Sequence, residues 1–364
     1  MMKGKNLLIW TLALCLFALP AVFNFFRAGA QTTTTAKPTP TPAKNGTPEP
    51  TPEEEEGTIK VETELVNLNV RVVDRNNRSV ANLSEKDFTV YEDNLPQKIE
   101  FFSKAEVPTN YAMVIDNSGS MRLQLDKVIE ASKIIVNTNR PDDETSIIRF
   151  VDSEKIEITQ DFTPNKSDIL ESLDNLYIEG GQTAIIDAVY LAAERVDDYE
   201  KSRNPNDRKR RALILVSDGE DRDSFYKEQQ LFELLRESDV QIYAIGFVNE
   251  LSKEGGFISK SPQGKAKDFL ERLARETGGK VYFPNSLSEL NGIAQDIASE
   301  LRTQYSIGYQ PANDKKDNIY RQIKVSVADG PNKEKRIAIT RTGIQNENKN
   351  ATPSLQNQTK IKTQ

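Results

Sequence analysis

The spacing of apolar residues changes twice along the chain and divides it into three stretches. From Ile59 to Arg71 apolar and polar residues alternate, with Val61, Leu65, Val66, Leu68 and Val70 recurring and Val72–Val73 continuing the run. Phe88–Tyr91 and Lys98–Phe101 repeat the pattern, joined by Glu92–Pro96. A period of two predicts strands with one buried face. From Tyr111 the pattern becomes continuous apolar runs separated by amphipathic segments. Tyr111–Asp116, Ser146–Val151, Ala212–Ser217, Val240–Phe247 and the short Val281–Phe283 read as strands covered on both faces. Leu123–Asn137, Ala184–Asp198, Leu231–Ser238, Lys267–Glu276 and Leu287–Leu301 read as helices, the fourth stopped by Gly278-Gly279. After Leu301 the period of two returns in Tyr305–Tyr309, Arg321–Val327 and Arg336–Thr340.

Alternating strands and helices predict an α/β fold, a doubly wound and mainly parallel sheet with helices on both faces. Neither alternating flank holds enough strands to close a sandwich. Together they offer about seven, the number of an immunoglobulin-like fold. We therefore expect the α/β region to be inserted into one discontinuous β-sandwich. Two small β pieces packed separately on it are the alternative. The expected boundaries are residues 58–105 for the first part of the sandwich, 106–303 for the α/β domain and 304–344 for the second part.

The ends of the chain differ in character. Lys3 and Lys5 precede an apolar stretch from Leu7 to Leu19, and Ala28-Gly29-Ala30 follows. This predicts a signal peptide over 1–30 cleaved before Gln31, with an uncleaved membrane anchor as the alternative. Residues 31–57 are dominated by Thr, Pro and finally Glu53–Glu56, a composition that extends a chain and predicts a disordered tether. Residues 345–364 form a second polar tail, expected to be disordered.

Composition narrows the chemistry. Among 364 residues there is no histidine, which removes every histidine triad, histidine metal ligand and histidine base. The one cysteine, Cys15, lies in the N-terminal apolar stretch, so no intramolecular disulfide and no cysteine-rich zinc site can form. Lys plus Arg is 48 against 55 for Asp plus Glu, a net charge of −7, which argues against a general nucleic-acid binder. A basic connection from Lys201 to Arg211 is read as solvated, an acidic partner being the alternative.

Oxygen donors collect at the carboxyl ends of the predicted strands, where ligands of open α/β sheets bind. The first strand runs into Asp116-Asn-Ser118-Gly-Ser120 and the third into Ser217-Asp218-Gly219-Glu-Asp. Gly180-Gly181-Gln-Thr183-Ala precedes a helix between them. Two carboxylates and three hydroxyls are hard donors, suited to Mg²⁺, or to Mn²⁺ or Ca²⁺. Hydroxyls carry no charge, so such a site leaves the cation able to attract a further carboxylate. Loop capping alone is the competing reading of these residues, since Asp and Ser also favour turns and helix starts. Asp187 is read as a helix residue supporting the loop, and Glu220, Asp221 and Asp223 as an acidic rim.

Asp116-x-Ser118-x-Ser120, Thr183 in its Gly-Gly loop and Asp218 in Ser-Asp-Gly, in that order, resemble the metal-ion-dependent adhesion site of von Willebrand factor type A domains. The resemblance covers about Val107 to Thr303. It implies metal ligation by Asp116, Ser118, Ser120, Thr183 and Asp218. Ser118 and Ser120 would bind directly, Thr183 directly or through water, and the two aspartates often through water. One coordination position is left for an Asp or Glu of a protein ligand. A wider set, including Asn82–Phe88, Arg210–Gly219, Leu273–Gly279 and Leu301–Tyr305, resembles a bacterial family of secreted proteins related to these domains. It covers most of Val61 to Gly343.

The expected function is a non-enzymatic, Mg²⁺-dependent protein-binding or adhesion module exported to the periplasm, cell surface or medium, with no nucleic-acid partner. A membrane tether follows if the signal is uncleaved. A structural envelope protein whose metal only stabilises the fold is the alternative. Catalysis is disfavoured: there is no Gly-x₄-Gly-Lys-[Ser/Thr] phosphate loop, no Gly-x-Ser-x-Gly elbow and no histidine base.

Overall fold

A computed structural model describes residues 65–345, apart from 202–208, 256–259, 314 and 316. The expected signal peptide, tether and most of the polar tail lie outside the described residues, as does the middle of the basic connection. No helix among the described residues is long and apolar enough to cross a membrane.

The first flank contributes β1 (Val66–Asp74), β2 (Phe88–Glu92), β3 (Leu95–Gln97) and β4 (Ile99–Ser103). The α/β region then runs β5 (Thr109–Asp116), α1 (Leu125–Asn137), β6 (Glu144–Phe150), β7 (Ile156–Thr163), α2 (Lys166–Asp174), α3 (Ile185–Lys201), β8 (Arg210–Ser217), α4 (Glu228–Glu237), β9 (Val240–Gly246), α5 (Pro262–Thr277), β10 (Lys280–Tyr282) and α6 (Leu290–Glu300). The second flank adds β11 (Tyr305–Tyr309), β12 (Tyr320–Val327), β13 (Arg336–Ile339) and β14 (Gly343–Gln345).

The central sheet has the order β10-β9-β8-β5-β6-β7, parallel except for the antiparallel edge strand β7. Strand β5 is buried along its whole length. Its pleat sends Tyr111, Met113 and Ile115 to the face covered by α1, α2 and α6. It sends Ala112 and Val114 to the face covered by α3, α4 and α5. This two-sided burial is why the strand reads as a continuous apolar run. The chain leaves β5 for β6 on one side and returns to β8 on the other. The crevice between the loops after β5 and β8 is therefore the point where the strand order reverses.

The two flanks form one sandwich. Its sheets are ordered β13-β1-β11-β4 and β14-β12-β2-β3, and each draws strands from both flanks. Separate packing of two β pieces is thereby overturned, because β1 pairs only with strands of the second flank. Among the described residues the sandwich has eight strands, where about seven were expected; β3 and β14, three residues each, were not anticipated, and the expected alternation before Leu65 lies outside the described residues. Leu68, Val70, Tyr305 and Ile307 of one sheet face Phe88, Val90, Ile323 and Val325 of the other. Phe88, Phe102 and Tyr305 pack ring to ring with centroids 5.1–5.8 Å apart. The Tyr305 hydroxyl donates to the Val80 carbonyl at 2.9 Å and accepts from the Leu83 amide at 3.0 Å, so its polar tip is satisfied.

Sandwich and α/β region meet at the amino-terminal ends of the parallel strands. Arg71 of β1 pairs through Nε with Glu300 of α6 at 2.8 Å and donates through Nη2 to the Gly279 carbonyl at 3.3 Å. Arg210, the first residue of β8, donates to the carbonyls of Leu301 at 3.1 Å and Gln304 at 2.8 Å. β11 starts beside this junction at Tyr305 and pairs antiparallel with β1, so that Val70 lies opposite Tyr305 and Val66 opposite Tyr309.

Candidate metal centre

The site grows from the carboxyl ends of β5 and β8. Neighbouring parallel strands keep Ile115 opposite Val216, and this register brings Asp116 level with Ser217. Asp116 is fully buried. Its Oδ1 accepts from the Ser118 amide at 2.9 Å and its Oδ2 from the Ser217 hydroxyl at 2.7 Å. Burial pushes the Asp116 carboxyl up to about 6, with the like charge of Asp218 adding to the rise and the hydrogen bonds from Ser118 and Ser217 opposing it. A buried carboxylate with amide and hydroxyl donors and a second acid as its neighbouring charge is suited to a cation.

Ser118 and Ser120 follow at the start of a 3₁₀ turn, Gly119–Leu123, which occupies part of the stretch expected to be α1. Met121 donates its amide to the Ser118 carbonyl at 3.2 Å and its side chain is buried, fixing the turn. The Ser118 and Ser120 hydroxyls lie 3.0 Å apart, so both oxygens point into the same space.

Thr183 stands on the loop before α3. Gly180 and Gly181 have φ of 88° and 104°, the left-handed side that glycine tolerates. A Cβ on Gly181 would lie 2.8 Å from Val151 Cγ1, so the loop approaches β6 more closely than a side chain allows. The Thr183 carbonyl accepts from the amides of Arg222 at 2.8 Å and Asp223 at 3.3 Å, joining this loop to the one that carries Asp218. On the other side Asn117 donates to the Tyr177 carbonyl at 2.7 Å and accepts the Glu179 amide at 3.1 Å. Asp218 Oδ1 accepts from the Glu220 amide at 3.0 Å, closing its own turn. All five anticipated residues thus lie on three loops that bond to one another.

The supporting residues were less legible. Ser217 lies inside the Ser-Asp-Gly motif, yet only the strand register shows that its hydroxyl serves Asp116. Asn117 is fully buried between two donors and braces them from behind. Asp187 supports the site as anticipated: its carboxylate accepts the amides of Phe225 and Tyr226, each at 2.8 Å. Of the acidic rim, Asp221 accepts the Ile186 amide at 3.3 Å and Glu220 pairs with Arg222. The hard-oxygen set of Asp116, Ser118, Ser120, Thr183 and Asp218 fits Mg²⁺ by donor chemistry and suits a soft metal poorly.

The family model of the von Willebrand factor type A domain matches residues 111–296. No curated protein is significantly similar to the chain. Solved structures of similar fold include the conserved hypothetical protein BatB from Bacteroides thetaiotaomicron, 20% identical over 53% of this chain and 98% of that one, with a TM-score of 0.39. Proximal thread matrix protein 1 from the mussel byssus is 21% identical over 54% of this chain and 49% of its own, with a TM-score of 0.42. A von Willebrand factor type A protein from Catenulispora acidiphila is 12% identical over 78% of this chain and 75% of its own, with a TM-score of 0.43.

Proposed function

Because the chain belongs to the von Willebrand factor type A domain family, we propose that it is a non-enzymatic, metal-dependent protein-binding module exported to the cell envelope. The observation that carries this reading is the buried carboxylate of Asp116, held among hydroxyl and amide donors beside a second acid. Ser118, Ser120 and Thr183 with Asp116 and Asp218 would hold Mg²⁺, and the bound ion supplies positive charge for a partner's carboxylate. The protein fixes the donors, since Ser217 and the Ser118 amide aim Asp116 while Asn117 and Asp187 brace the loops. The direct donors Ser118, Ser120 and Thr183 would be neutral hydroxyls, with the two aspartates often acting through water, so an open position on the ion favours an acidic side chain as the incoming group.

We further propose the domain limits 58–105, 106–303 and 304–344.

Calorimetric titration of Mg²⁺ and Mn²⁺ into the chain, beside Asp116→Ala and Thr183→Ala, tests the metal reading. Saturable binding in the parent that disappears in folded Asp116→Ala supports it. No binding in a folded parent sinks it and leaves loop architecture as the role of these residues.

A further inference from the structure

The two candidate carboxylates are not held equally. Asp116 accepts from two segments, through the Ser118 amide and the Ser217 hydroxyl. Among the described residues, the Asp218 carboxylate accepts only from the Glu220 amide, two residues along its own turn. That bond shapes the turn without placing it. The amides of Arg222 and Asp223 tie the later part of the loop to Thr183. Against the turn itself packs α5.

α5 buries Ala266, Leu270, Leu273 and Ala274 at helical spacing. Leu270 is fully buried. Its Cδ1 occupies the space that side chains on two glycines would need: a Cβ on Gly219 would stand 2.9 Å from it and a Cβ on Gly246 2.7 Å. Ala266 closes the same space, 3.1 Å from the Gly219 position. Gly219 follows Asp218, and Gly246 ends β9 opposite Ser217. One leucine methyl group is thus keyed to both the Asp218 turn and the end of β9. The other end of the helix is bonded to the sandwich, where the Thr342 amide donates to the Glu276 carbonyl at 3.2 Å.

We infer that Leu270 is a positioning residue for the candidate metal centre: it sets where the Asp218 turn stands relative to β9, and so places the Asp218 carboxylate relative to Asp116. This rests on the metal reading proposed above. A metal ligand must be held within about 0.5 Å of its working position. Truncating a buried leucine leaves a cavity whose walls relax only partly. Here one wall is the end of β9, a strand paired on both sides with β8 and β10. The other is the Asp218 turn, which has no strand partner. The turn yields first, and Asp218 moves with it.

Calorimetric titration of Mg²⁺ into Leu270→Ala should show binding weakened by roughly tenfold or more, the scale of losing a group that orients a ligand. Mn²⁺ in place of Mg²⁺ should give a changed electron paramagnetic resonance spectrum. Leu270→Met, which keeps the volume, should return the affinity to within about threefold of the parent. Ile135→Ala is the control, another core truncation, at the end of α1 away from the Ser118–Ser120 turn. It should lower the melting temperature comparably, leave the affinity within about twofold and keep the parental Mn²⁺ spectrum. If Leu270→Ala does not fold, Leu270→Val beside Ile135→Val makes the same comparison in smaller steps. Parental affinity and spectrum in a folded Leu270 truncation, or an equal loss in the Ile135 control, overturns the inference and leaves the metal reading standing. A folded parent that binds no Mg²⁺ overturns both.

Discussion

The Ser217 hydroxyl donates to Asp116 Oδ2 at 2.7 Å, tying the last residue of β8 to the last residue of β5 at the point where the strand order reverses. The same hydroxyl oxygen accepts the Gly219 amide at 3.1 Å, which sets the turn that carries Asp218. One small side chain therefore aims the Asp116 carboxylate and shapes the turn on which Asp218 stands. Ser217→Ala is expected to weaken Mg²⁺ binding by roughly 10- to 100-fold, the usual effect of removing a group that orients a metal ligand. Calorimetric titration checks it, and Ser217→Thr, which keeps the hydroxyl, should recover most of the loss.

The buried Asp116 gives the metal-free protein a pH dependence. Burial holds the folded carboxyl near 6, above the ordinary aspartate value of about 3.9, so the folded state holds that proton more tightly than the unfolded chain. Its contribution to stability is full below about pH 4 and is lost as the pH rises through about 6. The loss is on the order of 3 kcal/mol. Urea unfolding in EDTA should show this fall between pH 4 and 7 in the parent relative to Asp116→Asn. Because Mg²⁺ competes with the same proton, its affinity should be about tenfold lower at pH 5 than at pH 7. An affinity flat across that range in the parent would contradict the assignment of Asp116 to the ion.

Gly181 offers a test of the Thr183 loop. Its φ of 104° and the 2.8 Å approach of a Cβ to Val151 make alanine strained there for two independent reasons. Gly181→Ala should cost about 1–3 kcal/mol and weaken Mg²⁺ binding by displacing Thr183. Gly292→Ala is the control: it lies in α6 and its Cβ would meet nothing within 4 Å, so it should leave Mg²⁺ binding unchanged and raise stability by up to about 1 kcal/mol. Thermal melts with and without Mg²⁺ separate the two effects.

The junction between sandwich and α/β region rests on a buried ion pair. Arg71 and Glu300 are each almost fully inaccessible. Removing one partner of such a pair leaves a charge without compensation, typically costing about 3–5 kcal/mol. Lys280 also reaches Glu300, at 3.3 Å, so Arg71→Ala should fall near the lower end, about 3 kcal/mol. Arg71→Met, which fills the volume but keeps no charge, should recover little unless Glu300 is also replaced by Gln. Urea denaturation of the single and double variants decides this.

The sequence by itself determined the class of the fold, its main elements and the candidate donors. Buried strands such as Tyr111–Asp116 and Ala212–Ser217 are continuous apolar runs because both of their faces are covered, and no local alternative competes with that signal. Asp116, Ser118, Ser120, Thr183 and Asp218 could be named as candidates because oxygen-bearing side chains collect at the predicted strand ends and, in their order, resemble the family's adhesion site. Elements at the margins were not legible. β7 is an edge strand whose exposed positions carry Glu157, Thr159 and Asp161. The short helix α2 was also missed, although Asn165 caps its start by accepting the Ser167 amide at 3.1 Å. β3 contains Pro96, which pairs only at a sheet edge.

Tertiary structure alone decided the partners: the interleaving of the two flanks into common sheets, the bond from Ser217 to Asp116, and the pairing of Arg71 with Glu300 across 229 residues. The physical reason is the range of the forces involved. Hydrophobic periodicity and turn chemistry act over a few residues and are written locally. Strand pairing, buried ion pairs and a shared binding face join residues that only the folded chain brings together.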